Sequence, residues 1–259
     1  MRFDSEPRFE GLTSTSGAAT TKTSANHGPT RGKGRSRQEP EGIVRSVNQG
    51  EAARLRREYE SEGLVESALA ADPFTQFGRW FQGVVDADLD EPNAFVVATA
   101  DVEGRPSARA VLMKDFTDEG IVFYTNLISR KSRELKSNPN AAATFVWVPL
   151  HRQVRFEGSV VEVDGSLADD YFAGRPRGAQ IAAHASEQSS VVSSKEALER
   201  RFGELDVVLG PEVPRPVSWG GWMLIPDTVE FWQGQPHRFH DRILYRRTDG
   251  GWAFHRLAP

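Results

Sequence analysis

From Ala94 onward the apolar residues fall in short blocks separated by turn signals, and that punctuation restricts the chain to an antiparallel sheet. Ala94–Ala100 (AFVVATA), Ser107–Met113, Ile121–Thr125 and Ala141–Val148 read as strands, with Glu103-Gly104 and Asp118–Gly120 as turns. Gln153–Val163 alternates, placing Val154, Phe156, Gly158 and Val160 on one face and Gln153, Arg155, Glu157 and Ser159 on the other. Four further strands are expected at Gly221–Ile225, Val229–Gln233, Ile243–Arg247 and Trp252–Leu257, the last after an Asp249-Gly250 turn. Helices do not alternate with these strands, so a parallel βαβ sheet is disfavoured. The reading is mainly β (α+β): an antiparallel sheet closed into a barrel, with flanking helices.

The helices carry their own signals. Pro73–Val85 places Phe74, Phe77, Trp80, Phe81 and Val84 at helical spacing behind an Asp72 N-cap. Arg130–Ser137 is bounded by Ser129 and Asn138-Pro139. A helical insertion runs from Leu167 to about Phe202, with Ser193 and Glu196 as a capping box for its last helix. Glu51–Glu60 (EAARLRREYE) reads as a charged helix.

Composition separates an N-terminal tail from this domain. Of the first 42 residues, 20 are Gly, Pro, Ser or Thr, too polar a segment to offset its ordering entropy. The expected division is a disordered tail over 1–48 and one domain over 49–259. The GPTRGKG run at 28–34 has neither the spacing nor the preceding strand of a P-loop. No apolar h-region and no membrane-length apolar run are present, so a cytoplasmic protein is expected. The absence of cysteine excludes disulfides, thiolate metal sites and a cysteine nucleophile. The net charge of −4 does not suggest a nucleic-acid binder. It conceals a tail of +3 (8 basic against 5 acidic residues) and a domain of −7 (24 against 31).

Within that acidic domain, cations occupy positions that local physics does not favour. Arg109 interrupts the apolar strand SARAVLM, and Lys114 follows it. Buried there, Arg109 requires an anion, supplied either by an internal salt bridge or by a ligand. Arg130 and Lys131 stand in the first turn of a helix, against its dipole. They form either a solvated basic face with Arg133 and Lys136, or a phosphate cradle with the free amides. Tyr171, Arg175 and Arg177 lie in YFAGRPR, and His237, Arg238, His240 and Arg242 in QPHRFHDR. The latter is a solvated hairpin loop or a ligand site. A metal there is disfavoured, because the arginines repel a cation. Trp219, Trp222, Phe231 and Trp232 are core residues, or in part the wall of a slot for a flat ring.

The ordered set RREY (56–59), RAVLMK (109–114), FYTN (123–126), SRK (129–131), RQV (152–154), YFAGRPR (171–177), EQSS (187–190), SWGGW (218–222), EFWQG (230–234), HDR (240–242) and RLAP (256–259) resembles the pyridoxamine 5′-phosphate oxidase family. The resemblance runs from about residue 50 to the end. It implies an FMN-binding split β-barrel homodimer that oxidises pyridoxine or pyridoxamine 5′-phosphate to pyridoxal 5′-phosphate. Oxygen is the acceptor, giving hydrogen peroxide, and the amine substrate also yields ammonia. Two ligands that each carry a phosphate would account for separate cation clusters.

By the same resemblance the FMN set is Arg109, Ala110, Val111, Leu112, Met113, Lys114, Tyr124, Thr125, Arg130, Lys131, Gln153, Gln188, Ser189, Trp232 and Arg242. The substrate set is Arg56, Tyr59, Lys114, Tyr171, Arg175, Arg238 and His240. Arg238 and His240 are implied to be catalytic, over the reacting carbon, and no metal is implied. Trp232 and Arg242 are implied to reach the FMN of the partner subunit. His240 suits proton transfer and Arg238 orientation and charge stabilisation. Four positions depart from the family pattern: Ala179 where Ser is common, Phe239 for Leu, Glu91 where an Asp is often found, and His184 for an apolar residue. Two rivals are an FMN split-barrel reductase of another substrate and a non-catalytic pyridoxal phosphate carrier. The first leaves Tyr171, Arg175, Arg238 and His240 without a shared purpose, and the second leaves the flavin set without one.

Overall fold

Asp72 accepts a hydrogen bond from Thr75 N–H at 2.8 Å, and Pro73 presets the first turn of helix α1 (Pro73–Asp86). The structure, a computed structural model, describes residues 63–259. The expected tail, the Glu51–Glu60 helix, Arg56 and Tyr59 lie outside the described residues. One stripe of α1 buries Phe74, Phe77, Trp80 and Val84. Phe77 packs against the rings of Phe81, Phe116, Phe145, Trp147 and Phe156. Burying such a ring contributes roughly 1.5–3 kcal/mol, so α1 is the plug of the core.

Nine strands form one antiparallel sheet that curls into a half-barrel around this plug. They are β1 (Ala94–Ala100), β2 (Pro106–Leu112), β3 (Asp115–Phe116), β4 (Ile121–Asn126), β5 (Asn140–Trp147), β6 (Arg152–Glu162), β7 (Trp219–Gln233), β8 (Asp241–Thr248) and β9 (Gly251–Arg256). The order is β2-β1-β5-β6-β7-β4-β3, with β8 on β7 and β9 on β8. Four helices join α1: α2 (Arg130–Ser137), α3 (Gly165–Ala173), α4 (Arg177–Ala185) and α5 (Lys195–Val208). A smaller core of Phe172, Ile181, Val213 and Trp219 fastens α3 and α4 to the start of β7.

The structure corrects several expectations. The two strands expected on either side of Pro226 are one strand, β7. Pro226 has no N–H to donate, but it sits opposite Gly158 where the β6–β7 register shifts, and the bulge accommodates it. A side chain at Gly158 would place its Cβ 2.1 Å from Ile225 O, so only glycine allows this approach. The N-cap of α5 is Ser194, which accepts from Ala197 N–H, rather than Ser193. The two-residue β3 is too short to carry a periodic signal and is an addition to the expected strands. Finally, β2 is an edge strand of mixed exposure, not a buried one, so Arg109 is half-buried beside a cavity instead of sealed in the core.

Candidate active site

A cavity of about 1230 Å³ opens between β2, β4, the start of α2, and the α3–α4 region with the segment that comes after it. Of the expected residues it is lined by Arg109, Ala110, Val111, Leu112, Lys114, Tyr124, Thr125, Arg130, Lys131, Tyr171, Arg175, Gln188 and Ser189. Residues far apart in sequence are brought to one wall because β4 carries the chain directly into α2. Ser129 caps α2 by accepting from Ser132 N–H, and the helix start faces the cavity with Arg130 and Lys131.

Lys131 is buried, and its Nζ donates to Thr125 Oγ1 (2.8 Å), Ser129 Oγ (3.3 Å) and Gln188 Oε1 (2.6 Å). All three partners are neutral. Burial, and then the charge of Arg109, push the lysine pKa down to about 8. Arg109 does have an internal carboxylate: its Nη2 lies 3.4 Å from Glu134, which also holds Arg130 Nε at 2.8 Å. The internal salt bridge expected for Arg109 is therefore present, and the same side chain also lines the cavity.

At another part of the cavity wall, the rings of Tyr124 and Tyr171 stack at 4.2 Å, within 3° of parallel. Trp219 lies parallel to both, and the Arg175 guanidinium sits 4.8 Å from its ring centroid. Arg175 Nη1 is buried without a hydrogen-bond partner, an orphaned cationic donor at a cavity wall. Burial raises the Tyr124 phenol pKa, with Asp115, Tyr171 and Asp170 adding to it. Arg177 does not join this group. It pairs with Asp206 and donates to the carbonyls at the end of α5 and just beyond it, a structural role.

The remaining expected residues are elsewhere. Met113 is buried in the core. Val146, Gln153, Trp232 and Arg242 form one row across β5, β6, β7 and β8, on the face opposite the buried Phe145, Val154, Phe231 and Ile243. Arg242 is held by the buried Glu230 at 2.8 Å, which raises the Arg242 pKa further. Glu230 also takes Arg155. His240 lies 4.7 Å from the Trp232 ring and accepts Gln235 N–H at Nδ1 (3.1 Å). Its pKa is lowered by burial and by Arg238. His237 and Arg238 both have positive φ, 54° and 66°, a strained pair that turns the loop before β8. None of Gln153, Trp232, Arg238, His240 and Arg242 lines the large cavity. One chain thus carries two separate groups of expected site residues.

Trp219 meets both of its expectations, since it belongs to the smaller core and also lines the cavity. No sequence feature singles out Glu134, whose donors Thr99, Ser107 and Arg109 come from β1 and β2. Of the departures, Ala179 lines the cavity and offers no hydroxyl there. Phe239 is exposed, Glu91 has φ 45°, and His184 is within 2.7 Å of Pro214 O. Among the described residues no group of His, Asp and Glu is arranged to hold a metal, and no helix is long and apolar enough to cross a membrane.

Comparisons with known proteins align with this geometry. Residues 81–208 match the family described as pyridoxamine 5′-phosphate oxidase. Residues 219–259 match the pyridoxine 5′-phosphate oxidase C-terminal dimerisation region, which supports homodimerisation. A pyridoxine/pyridoxamine 5′-phosphate oxidase of Paraburkholderia phymatum is 51% identical over 80% of this chain and 98% of its own. One from Rubrobacter xylanophilus is 51% identical over 85% of this chain and 100% of its own. Among solved structures, PhzG from Burkholderia lata, in complex with tetrahydrophenazine-1-carboxylic acid, superposes with a TM-score of 0.73 at 31% identity, covering 76% of this chain and 98% of that one. An FMN-binding, pyridoxamine 5′-phosphate oxidase-related protein of Nostoc punctiforme shares the fold, with a TM-score of 0.59 at 17% identity over 74% of this chain and 100% of its own.

Proposed function

The chain belongs to the pyridoxamine 5′-phosphate oxidase family, and from that premise we propose that it is an FMN-dependent oxidase converting pyridoxine or pyridoxamine 5′-phosphate to pyridoxal 5′-phosphate, with O2 as acceptor. The observation that carries this reading is one cavity with cations at two places. Lys131 is buried among neutral partners at one, and Arg175 keeps an orphaned donor at the other. A buried ammonium with only neutral partners, and a guanidinium with one buried orphaned donor, fit a protein whose ligands bring the anions.

Arg109, Arg130 and Lys131, with the amides at the start of α2, would hold the FMN phosphate. Gln188, Ser189, Thr125 and the backbone of Ala110–Leu112 would line the flavin, and Gln153 both donates and accepts, matching a mixed ring edge. Lys114, Tyr171 and Arg175 would take the substrate phosphate. Bound FMN supplies the two-electron acceptor, which O2 regenerates with release of hydrogen peroxide.

The protein's own part is orientation and proton handling. Trp232, Arg242, Arg238 and His240 would enter from the partner subunit, making each site a product of two chains. Arg238 keeps its charge and would orient the substrate ring. His240 accepts Gln235 N–H at Nδ1, so the neutral ring carries its proton at Nε2. The amine substrate exchanges its nitrogen for water, releasing ammonia. A cytoplasmic setting fits this chemistry.

A second reading, oxidation of a phenazine-type carboxylate, rests on the likeness to PhzG. The more similar relatives, and Tyr171 and Arg175 lining one cavity, favour a phosphorylated vitamer. Anaerobic mixing with pyridoxine 5′-phosphate tests the choice. The flavin absorbance should bleach and return with oxygen. A protein that takes up FMN yet stays unbleached by both vitamer phosphates overturns the assignment.

A further inference from the structure

We propose that Glu134 is a positioning residue: it sets the two arginines of the FMN phosphate cradle before the cofactor arrives and brings the charge of that cradle to match a phosphate dianion. The inference rests on the FMN reading above.

Glu134 lies on α2 one turn behind Arg130, and its side chain is only 7% exposed. Its Oε2 accepts from Thr99 Oγ1 at 2.5 Å, Ser107 Oγ at 2.6 Å and Arg109 Nη2 at 3.4 Å. Its Oε1 accepts from Arg130 Nε at 2.8 Å. Burial opposes the charge, but the bonds from Ser107, Thr99 and Arg130 outweigh it and hold the pKa at about 2. The carboxylate is thus anionic at any working pH.

The pattern of contacts is selective. Arg109 spends Nη1 on Thr99 Oγ1 and Val97 O, and Nη2 on Ser107 and Glu134. Its Nε makes no hydrogen bond among the described residues. Arg130, which lines the cavity, spends only Nε on Glu134 and neither terminal nitrogen on any described residue. Glu134 therefore anchors each guanidinium through one nitrogen, leaving Arg109 Nε and both terminal nitrogens of Arg130 for a ligand. Arg side chains lose substantial rotamer freedom when they bind, and Glu134 removes that loss beforehand. The three cations Arg109, Arg130 and Lys131 less one carboxylate give a net charge of about +2, the complement of a phosphate monoester near neutrality.

The test compares FMN with riboflavin, which lacks the phosphate, by flavin-fluorescence titration of the flavin-free full-length chain. Glu134→Gln should weaken FMN about tenfold or more, the loss expected for a charged hydrogen bond, while riboflavin affinity stays within about twofold. FMN binding equal to or tighter than in the unmutated chain overturns the proposal, because net charge alone would then govern the cradle. Equal weakening of both flavins also overturns it, since that is a general structural defect. If Glu134→Gln does not fold, Glu134→Asp, which keeps the buried charge but shortens its reach, is judged by the same two titrations. An unmutated chain that binds no FMN refutes the cofactor reading itself, a separate result.

Discussion

Lys131 Nζ lies 2.6 Å from Gln188 Oε1, a side chain 57 residues further along, and no carboxylate shares the contact. The pair closes the wall between α2 and the segment after α4, and it leaves the buried ammonium with neutral partners only.

That arrangement makes FMN affinity depend on pH. The lysine pKa stands at about 8 against its usual 10.5. A phosphate placed beside it favours the charged form, so binding above pH 8 takes up a proton. FMN affinity should fall as pH rises from 8, by up to about tenfold per unit. Lys131→Met should bind more weakly at pH 7 and lose this slope. The flavin-free protein shows the opposite trend from this group. Between pH 8 and 10.5 its unfolded chain binds more protons than the folded one, so the folding penalty of burying Lys131 should shrink as pH rises. Flavin titrations and urea unfolding at about pH 7–10 check both signs.

The proposed sharing of the site between subunits predicts complementation. Arg175→Ala disables the cavity group and His240→Ala the group beside Trp232. In a mixed dimer one site combines both defects and the other is intact. Random exchange of two inactive variants should therefore restore about a quarter of the wild-type activity. A mixture as inactive as its components places both groups in one subunit's site.

Arg238→Ala and His240→Ala should retain bound flavin yet lose turnover by about 10²–10⁴-fold. Burial and Arg238 lower the His240 pKa below its usual 6.5. Protonation of Nδ1 breaks the bond from Gln235 N–H, so turnover should hold at neutral pH and fall only on the acid side of 6.5. The His240→Asn variant should lose that limb of the pH profile. Steady-state rates from about pH 5 to 8 supply the measurement.

The close approach at Gly158 predicts a stability effect without a site effect. Gly158→Ala sets a Cβ against Ile225 O and 2.7 Å from Pro226 Cα, both backbone atoms that cannot swing aside. A loss of about 1–3 kcal/mol is expected, roughly 2–12 °C in Tm. An unchanged melting temperature would show that β6 and β7 slide apart at the bulge.

Much of this architecture is legible in the residues. Asp72-Pro73 and Ser129 mark helix starts because capping is local, and AFVVATA and the alternation after Gln153 reveal strands because burial repeats along the chain. Pro226 misleads, since its missing N–H matters only relative to a partner strand that local reading does not contain. Arg109 misleads for the same reason: SARAVLM looks buried until the strand order puts it at an edge. Glu134 escapes a sequence reading because its role depends on which side chains converge on it from distant segments.

The sequence by itself determined the antiparallel class, the family and the cationic and aromatic side chains available to a site. Periodicity, turn chemistry and an ordered set of motifs are enough for these, and all are one-dimensional properties. Only the tertiary structure decided how those side chains are divided. It placed Arg109, Lys131 and Arg175 around one cavity, set Gln153, Trp232 and Arg242 in a row on the opposite face from the core, and gave Arg177 to the end of α5. The physical reason is that a sheet pairs residues by register across strands, and register is a long-range agreement that no single stretch of chain contains.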